Sequence, residues 1–393
     1  MEDVFVISAV RSAVGDFGGA LKDMPPTALA AQVTAEAVRR SGVAPGEIGH
    51  IVFGQVIHTE AKDMYTARVA GIDAGLPQET PALTLNRLCG SGLQAVISAA
   101  QCIALGDAGI AVAGGVESMS RAPYSIPAAR WGQKMGDAAV IDMMAGALND
   151  PFHRIHMGIT AENVAERHQI TREQQDALAL ESHRRASRAV LEGRFREQIL
   201  PITIKGRKGD IVFDADEHIR ADAKAEDFAK LRPVFRKDGG TVTAGNASGI
   251  NDGAAAVVLA GAAAVKRLNL KPMARLVAYG HAGVEPAFMG LGPIPATRAA
   301  LKRAGLSVRD LDTIESNEAF AAQACAVARE LDFDAERVNP NGSGISIGHP
   351  VGATGAINTV KAVYELARSG GRYALVTMCI GGGQGIAAIF ERA

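Results

Sequence analysis

Asn86-Arg87-Leu88-Cys89-Gly90-Ser91-Gly92-Leu93-Gln94-Ala95 sets a lone thiol between a short apolar run and a helix without charge. Upstream, Leu83 and Leu85 read as the end of a buried strand, and the two glycines let the backbone turn sharply. Downstream, Leu93, Val96, Ile97, Ala100 and Ile103 fall at the spacing of one helical face. A cysteine at such a helix start meets the positive end of the helix dipole and free N–H groups, both of which lower a thiol pKa. Cys89 is therefore a candidate nucleophile; an inert structural cysteine is the alternative that the local sequence leaves open.

Burial patterning extends outward from this helix. Between Arg87 and Asp107, and again between Arg337 and Lys361, there is no Asp, Glu, Lys or Arg. A helix without a charged face is buried on all sides, while the glycines and glutamines argue against a membrane span. Two such helices fit between two sheets, with amphipathic helices outside, which gives five layers. Strand-like runs at Val4 to Val10, Ile51 to Val56 and Ile110 to Ala113 alternate with helices, the first from Pro26 through the Ala-rich stretch to Val38. This predicts an α/β fold with a largely parallel sheet. The Cys89 helix, its Gly106-Asp107 end and the strand closing on Gly114-Gly115 have a counterpart late in the chain. There a Gly-rich loop leads to a helix over Gly355 to Leu366, the Ser369-Gly370-Gly371 turn and a strand from Tyr373 to Met378, followed by Cys379. The chain reads as two similar halves.

Between them the texture changes. From about Arg121 to Gly249 the alternation fades and charges accumulate between Lys205 and Asp238, mixed in sign as on a solvated surface. Thr160 to His168 and Thr171 to Glu192 read as helices, the second opening on a Thr171-to-Gln174 capping box. Gly253 to Ala260 and Ala274 to Gly280 return to strand. The expected units are 1–120 with 250–272, an insertion over 121–249, and 273–393.

Composition excludes several partners. The 393 residues are 48% hydrophobic and 21% charged with a formal net charge of -1, which favours neither nucleic acid nor an anionic membrane. Cys89, Cys102, Cys325 and Cys379 are too scattered for a zinc site or a disulfide scaffold, so a reducing compartment is expected. Met1 to Val6 runs directly into a strand with no basic segment before an apolar one, and a cytoplasmic protein is expected.

Other residues could share chemistry with Cys89. His349 stands in a loop rich in glycine just before the second uncharged helix, as a general base or a satisfied core histidine. Cys379 precedes three glycines, as a second reactive thiol or a strand-end core residue. Asn317 could bring an amide to the same cleft or cap a helix. Thr241 to Gly253 could be a turn facing a ligand.

Together, Cys89 in NRLCGSG, Asn317 in NEAF, His349 in SGISIGHPVGATG and Cys379 in CIGGGQG resemble the thiolase family, in order and over the full length from Val4 to Arg392. The likeness is to bacterial β-ketothiolases, or acetyl-CoA acetyltransferases, including those that feed polyhydroxyalkanoate synthesis. The resemblance implies the family's five-layered αβαβα fold of two duplicated halves with an inserted CoA-binding loop domain. It further implies a ping-pong Claisen condensation, reversible as thiolysis, in which Cys89 is deprotonated by His349 and acylated while Cys379 moves the α-proton of acetyl-CoA. The N–H groups of Cys89 and Gly381 would serve one oxyanion, His349 and a water on Asn317 the other. Positions matching CoA contacts are Arg220, Ser248, Ala244, Ala247, Phe235, His156 and Met157, with Met289, Ala319 and Phe320 from the other half. His156-Met157-Gly158 resembles the short-chain branch and could narrow the acyl pocket. Ser316 departs from the family's Ala or Ile and leaves Asn317 in place. No metal and no cofactor beyond CoA thioester substrates is implied, and a homotetramer is expected. The rival readings are a degradative 3-ketoacyl-CoA thiolase of broader chain length, a ketoacyl synthase, which lacks a Cys379-type base, and a non-catalytic thiolase-like lipid-binding protein, which the two retained thiols argue against.

Overall fold

Nine strands and eight longer helices carry the architecture of the computed structural model, which describes residues 2–206 and 209–393. Met1, Arg207 and Lys208, included in the readings of the N-terminus and the charged run, lie outside the described residues. The chain opens with β1 (Val4–Ser12), α1 (Pro26–Ser41), β2 (His50–Gly54), α2 (Thr66–Asp73), β3 (Ala82–Leu85), α3 (Ser91–Leu105) and β4 (Ile110–Ser118). A long excursion holding α4 (Met157–Arg167) and α5 (Arg172–Leu191) precedes β5 (Asn251–Gly261). Then come β6 (Ala274–Gly283), α6 (Pro293–Ala304), β7 (Thr313–Ser316), α7 (Ala321–Glu330), α8 (Thr354–Ser369), β8 (Tyr373–Ile380) and β9 (Gln384–Arg392).

The repeat seen in the sequence is present in the pairing. In the first half β1 and β5, then β5 and β4, are antiparallel, while β4 with β2 and β2 with β3 are parallel. In the second, β6 with β9 and β9 with β8 are antiparallel, β8 with β7 is parallel, and a parallel bridge from Ile314 to Val338 stands where the fifth strand would be. Even the register slips correspond, between Val6 and Ser8 on β1 and between Leu276 and Ala278 on β6. The sheets are thus mixed, not largely parallel as expected. The physical reason is visible at β8 and β9, joined by Gly381, Gly382 and Gly383 alone, far too few residues for a parallel crossover. The two sheets also touch at one edge, where Phe5 pairs with Arg275 and Val6 with Ala274.

Helices α1 and α2 cover the first sheet, α3 and α8 pack together between the sheets, and α6 covers the second sheet. That is the expected five-layered α/β arrangement. Leu93, Val96, Ile97 and Ile103 of α3 are fully buried, each contributing about 1.5–3 kcal/mol. Over Leu88–Leu105 this helix is apolar enough by length and composition to cross a membrane, and it lies here between the two sheets. Backbone approaches backbone where α3 meets α8: a Cβ on Gly92 would sit 2.6 Å from the Ala356 nitrogen. The α8 helix carries a charge inward, with Lys361 Nζ 2.5 Å from Glu315 Oε2 and 2.6 Å from the Gly342 carbonyl.

Three local expectations change. Strand β3 lies at the sheet edge with Leu83 43% exposed, so it is not a buried strand. Strand β4 does not close on Gly114-Gly115 but runs on to Ser118, because those glycines admit the Phe53 ring and the Gly352 carbonyl against the strand. Strand β8 continues through Cys379, which pairs with Gly385.

Candidate active site

The Cys89 loop is built by short polar contacts. Asn86 Oδ1 accepts the Leu88 N–H at 2.9 Å, Arg87 N–H donates to Ser91 Oγ at 2.8 Å, and that hydroxyl donates to the Leu88 carbonyl at 2.7 Å. Leu88 takes a left-handed φ of 46°, an unusual conformation for a branched side chain that turns the chain into α3. Cys89 follows at the helix start. Its thiol does not behave as the helix dipole alone suggests: burial pushes its pKa up, and the Glu117 carboxylate adds to that. The backbone N–H groups of Gly381 and of Cys89 itself act on the sulfur in the opposite direction without prevailing. The resting nucleophile is therefore a protonated thiol that needs a base.

His349 lines the same cavity as Cys89. The loop bearing it is pinned by Asn251, whose Oδ1 accepts the His349 N–H at 2.9 Å, and Gly348 takes a φ of +110° with Asn251 packed where a side chain would go. The ring is buried, and desolvation lowers its pKa to about 4, so it is neutral at neutral pH. Its Nδ1 lies 2.6 Å from Thr354 Oγ1 and its Nε2 3.4 Å from Asn317 Nδ2. Asn317 is fully buried, and its Oδ1 has no partner among the described residues. It caps no helix, since Phe320 holds the cap position of α7. Cys379 is 0% exposed, and burial, with the Cys89 thiol close by, pushes its pKa far above the ordinary thiol range.

One cavity of about 330 Å³ is lined by Cys89, His349, Cys379 and Gly381. Every position matched to a CoA contact except Arg220 lines it too: His156, Met157, Phe235, Ala244, Ala247, Ser248, Met289, Ala319 and Phe320. His156 caps α4, its Nδ1 accepting the Gly158 N–H at 3.0 Å, and stacks on Phe235 at 4.6 Å. Phe320 meets Phe235 edge-on at 6.3 Å. Ser248 N–H donates to the Ala319 carbonyl at 3.0 Å, tying the Thr241 to Gly253 turn to the other half. Arg220 is placed elsewhere, in an adjoining chamber of about 400 Å³ with His183, His218 and Phe228. Ala244 and Ala247 line both chambers. A larger cleft of about 800 Å³ lies on the far side of Leu88, Met157 and Gly381. Among the described residues no group of three or more His, Cys, Asp or Glu side chains is gathered to hold a metal ion.

Sequence reasoning missed five contributors. Thr354 and Asn251 hold the His349 loop through hydroxyl and amide groups that leave no periodic trace. His183 and His218 belong to a helix and a loop far apart in sequence. Glu117 did leave a signal, a carboxylate closing the apolar run Ile110 to Val116. It is fully buried and accepts N–H bonds from Val56 and Ile57 at 3.1 Å and from Gly352 at 2.9 Å.

A duplicated αβαβα core that brings two thiols and an imidazole to one cleft defines an architecture for chemistry at a cysteine sulfur. Residues 4–263 match the model of the thiolase N-terminal domain and residues 270–392 that of the thiolase C-terminal domain. The chain belongs to the thiolase family. It is 65% identical over 390 residues to beta-ketothiolase BktB of Cupriavidus necator, covering 99% of both chains. It is 50% identical over 392 residues to the acetyl-CoA acetyltransferase of Chromobacterium violaceum, covering 99% of this chain and 100% of that one. Among solved structures, the Bacillus anthracis acetyl-CoA acetyltransferase superposes with a TM-score of 0.98 at 49% identity over 100% of this chain and 99% of that one. Human mitochondrial 3-ketoacyl-CoA thiolase in complex with CoA superposes at 0.97 with 44% identity over 100% and 98%. The backbone therefore does not separate acetyltransferases from 3-ketoacyl-CoA thiolases.

Proposed function

We propose that this chain is an acetyl-CoA C-acetyltransferase, a β-ketothiolase that joins two acetyl-CoA, or acetyl-CoA and a short acyl-CoA, into a 3-ketoacyl-CoA and runs the reverse thiolysis. The observation that carries this reading is the single cavity shared by Cys89, His349, Cys379 and the Gly381 loop. His349, neutral at neutral pH, takes the Cys89 proton, and the thiolate attacks the acyl-CoA carbonyl. The N–H groups of Cys89 and Gly381, whose field already favours negative charge on the sulfur, receive the oxyanion. His349, neutral again once CoA has left with its proton, takes the Cys379 proton. Cys379, now a thiolate, removes the α-proton of the incoming acetyl-CoA, the carbanion attacks the acyl-Cys89 thioester, and the released Cys89 thiolate takes its proton back from His349. His349 and a water held by Asn317 serve the enolate oxygen. CoA thioesters are the substrates, and the scheme moves protons and an acyl group without electron transfer.

The aromatic and small residues at His156, Phe235, Ala244, Ala247, Ser248, Met289, Ala319 and Phe320 suit the pantetheine arm, and Arg220 in the adjoining chamber suits the nucleotide end. We read residues 121–249 as the CoA-binding insertion between core units 1–120 with 250–272 and 273–393. A cytoplasmic location is supported by bacterial relatives and scattered thiols. A homotetramer is supported by the apolar side chains left exposed over the insertion, Tyr124, Trp131, Met135 and Phe152 among them; light scattering that gave a monomer at micromolar concentration would remove it. A degradative role with longer chains is the second reading, favoured by the 800 Å³ cleft beside the site.

The test uses two single variants and radiolabelled acetyl-CoA. Cys89→Ser should form no acyl-enzyme, whereas Cys379→Ser should be acylated and fail to condense. Failure of Cys379→Ser to take up label would overturn the division of roles.

A further inference from the structure

The His349 ring has two hydrogen-bonding partners, both neutral: the Thr354 hydroxyl at Nδ1, 2.6 Å away, and the Asn317 amide at Nε2, 3.4 Å away. Thr354 is the first residue of α8 and is buried. Its hydroxyl lies 2.9 Å from the Pro350 carbonyl. A carbonyl oxygen can only accept, so the hydroxyl proton belongs on that line. The shorter contact to Nδ1 then needs a proton from the ring, and a neutral imidazole carrying hydrogen on Nδ1 has its lone pair on Nε2. The Asn317 side chain presents its NH2 group to that same nitrogen, which fits a lone pair there. The two contacts thus arrive independently at one tautomer.

We propose that Thr354 is a positioning residue that holds His349 as the Nδ1–H tautomer, so that Nε2 is the atom that takes the Cys89 proton. This rests on the reading of His349 as the base for Cys89. The proton passes from Cys89 Sγ to Nε2, giving a thiolate and an imidazolium whose Nδ1–H stays on Thr354. The sulfur lone pair forms the bond to the acyl carbon, the bond from that carbon to the CoA sulfur breaks with its electron pair, and the departing CoA thiolate takes the proton from Nε2. A carboxylate at Nδ1 would raise the basicity of the ring and favour imidazolium at rest. A hydroxyl fixes the orientation without adding charge, which matches a ring that burial keeps neutral.

The test has two readouts on full-length protein. Magic-angle-spinning spectra of sedimented enzyme labelled with nitrogen-15 in histidine, with His349 assigned by difference from a His349→Asn variant, should show Nδ1 protonated and Nε2 bare in the wild type. Thr354→Val should mix the tautomers and lower kcat for acetoacetyl-CoA thiolysis by roughly 10- to 1,000-fold, within the range of losing a well-placed general base or its correct tautomer. The KM for CoA should stay within about twofold, as expected when an interaction specific to the chemical step is lost. Thr354→Ser, which keeps the hydroxyl, should restore both kcat and the wild-type spectrum. A wild-type His349 protonated at Nε2, or a Thr354→Val enzyme with full kcat, overturns the proposal. Should Thr354→Val not fold, the wild-type spectrum with Thr354→Ser still decides it. Failure of the underlying reading looks different: His349→Asn would then acylate at the wild-type rate whatever the tautomer.

Discussion

Glu117, closing a strand of the first half, accepts the backbone N–H of Gly352 in the second half at 2.9 Å. Gly352 lies three residues after His349, and a Cβ there would stand 2.6 Å from the Glu117 carboxylate. The carboxylate also accepts from Val56 and Ile57. One buried acid therefore joins the loop after β2 to the loop bearing His349; burial raises its pKa to about 8, and in its ionised form it bears on Cys89.

Replacing Glu117 with Gln should separate these two effects. The amide keeps an acceptor oxygen but turns an NH2 group toward at least one buried N–H, a loss of about 1–3 kcal/mol, read as a lower urea midpoint. Because burial raises the Glu117 pKa to about 8, its charge acts on the thiol above that pH; with that charge removed, the Cys89 thiol pKa should fall, and alkylation by iodoacetamide should rise at lower pH than in the wild type. An unchanged alkylation profile would show that Glu117 has no electrostatic hold on the thiol.

In the wild type, alkylation of Cys89 should rise with pH through a range above that of an ordinary thiol, because burial raises its pKa. His349 has already lost its proton near pH 4, so no inflection should appear at the ordinary histidine value of about 6.5. A clear step there would mean that an ion pair between Cys89 and His349 forms at rest.

Acid should destabilise the fold through its buried histidines. His183, buried beside His218 and Arg220, has a pKa lowered to about 4, as has His349. The folded chain binds these protons less readily than the unfolded one, so their contribution is present above about pH 6.5 and is lost as pH falls toward 4. Each lowered pKa corresponds to at most about 3 kcal/mol. Urea midpoints at pH 7, 5.5 and 4.5 should decline, and His183→Gln should flatten the decline; equal slopes in variant and wild type would rule His183 out as a source.

Chain-length selectivity should depend on Met157. A Cβ on Gly381 would meet the Met157 methyl at 2.8 Å and Leu88 Cδ1 at 3.5 Å, and Met157 and Gly381 line both the Cys89 cavity and the larger cleft. Met157→Ala should raise kcat/KM for 3-ketodecanoyl-CoA relative to acetoacetyl-CoA by roughly tenfold, in line with about 1–3 kcal/mol per methylene accommodated. Thiolysis across acetoacetyl-, 3-ketovaleryl-, 3-ketohexanoyl- and 3-ketodecanoyl-CoA measures it. A wild-type enzyme already fully active at ten carbons would show that Met157 closes nothing.

By itself the sequence determined the layers and singled out Cys89, His349 and Cys379, which the fold brings to one cavity. Missing charges around Cys89 and before Lys361 identify helices with no face for water, and glycines permit the sharp turns that deliver Cys89, His349 and Cys379. Those are local properties of composition and spacing. Tertiary structure decided strand direction, because whether β8 and β9 run antiparallel depends on where a three-glycine turn returns the chain. It also decided protonation. The helix start at Cys89 favours a thiolate when read locally, yet desolvation by surrounding elements outweighs it, and the His349 lone pair is directed by Thr354 and Asn317 from α8 and the end of β7. Burial and hydrogen-bond geometry sum over residues distant in the chain, so only the assembled fold fixes them.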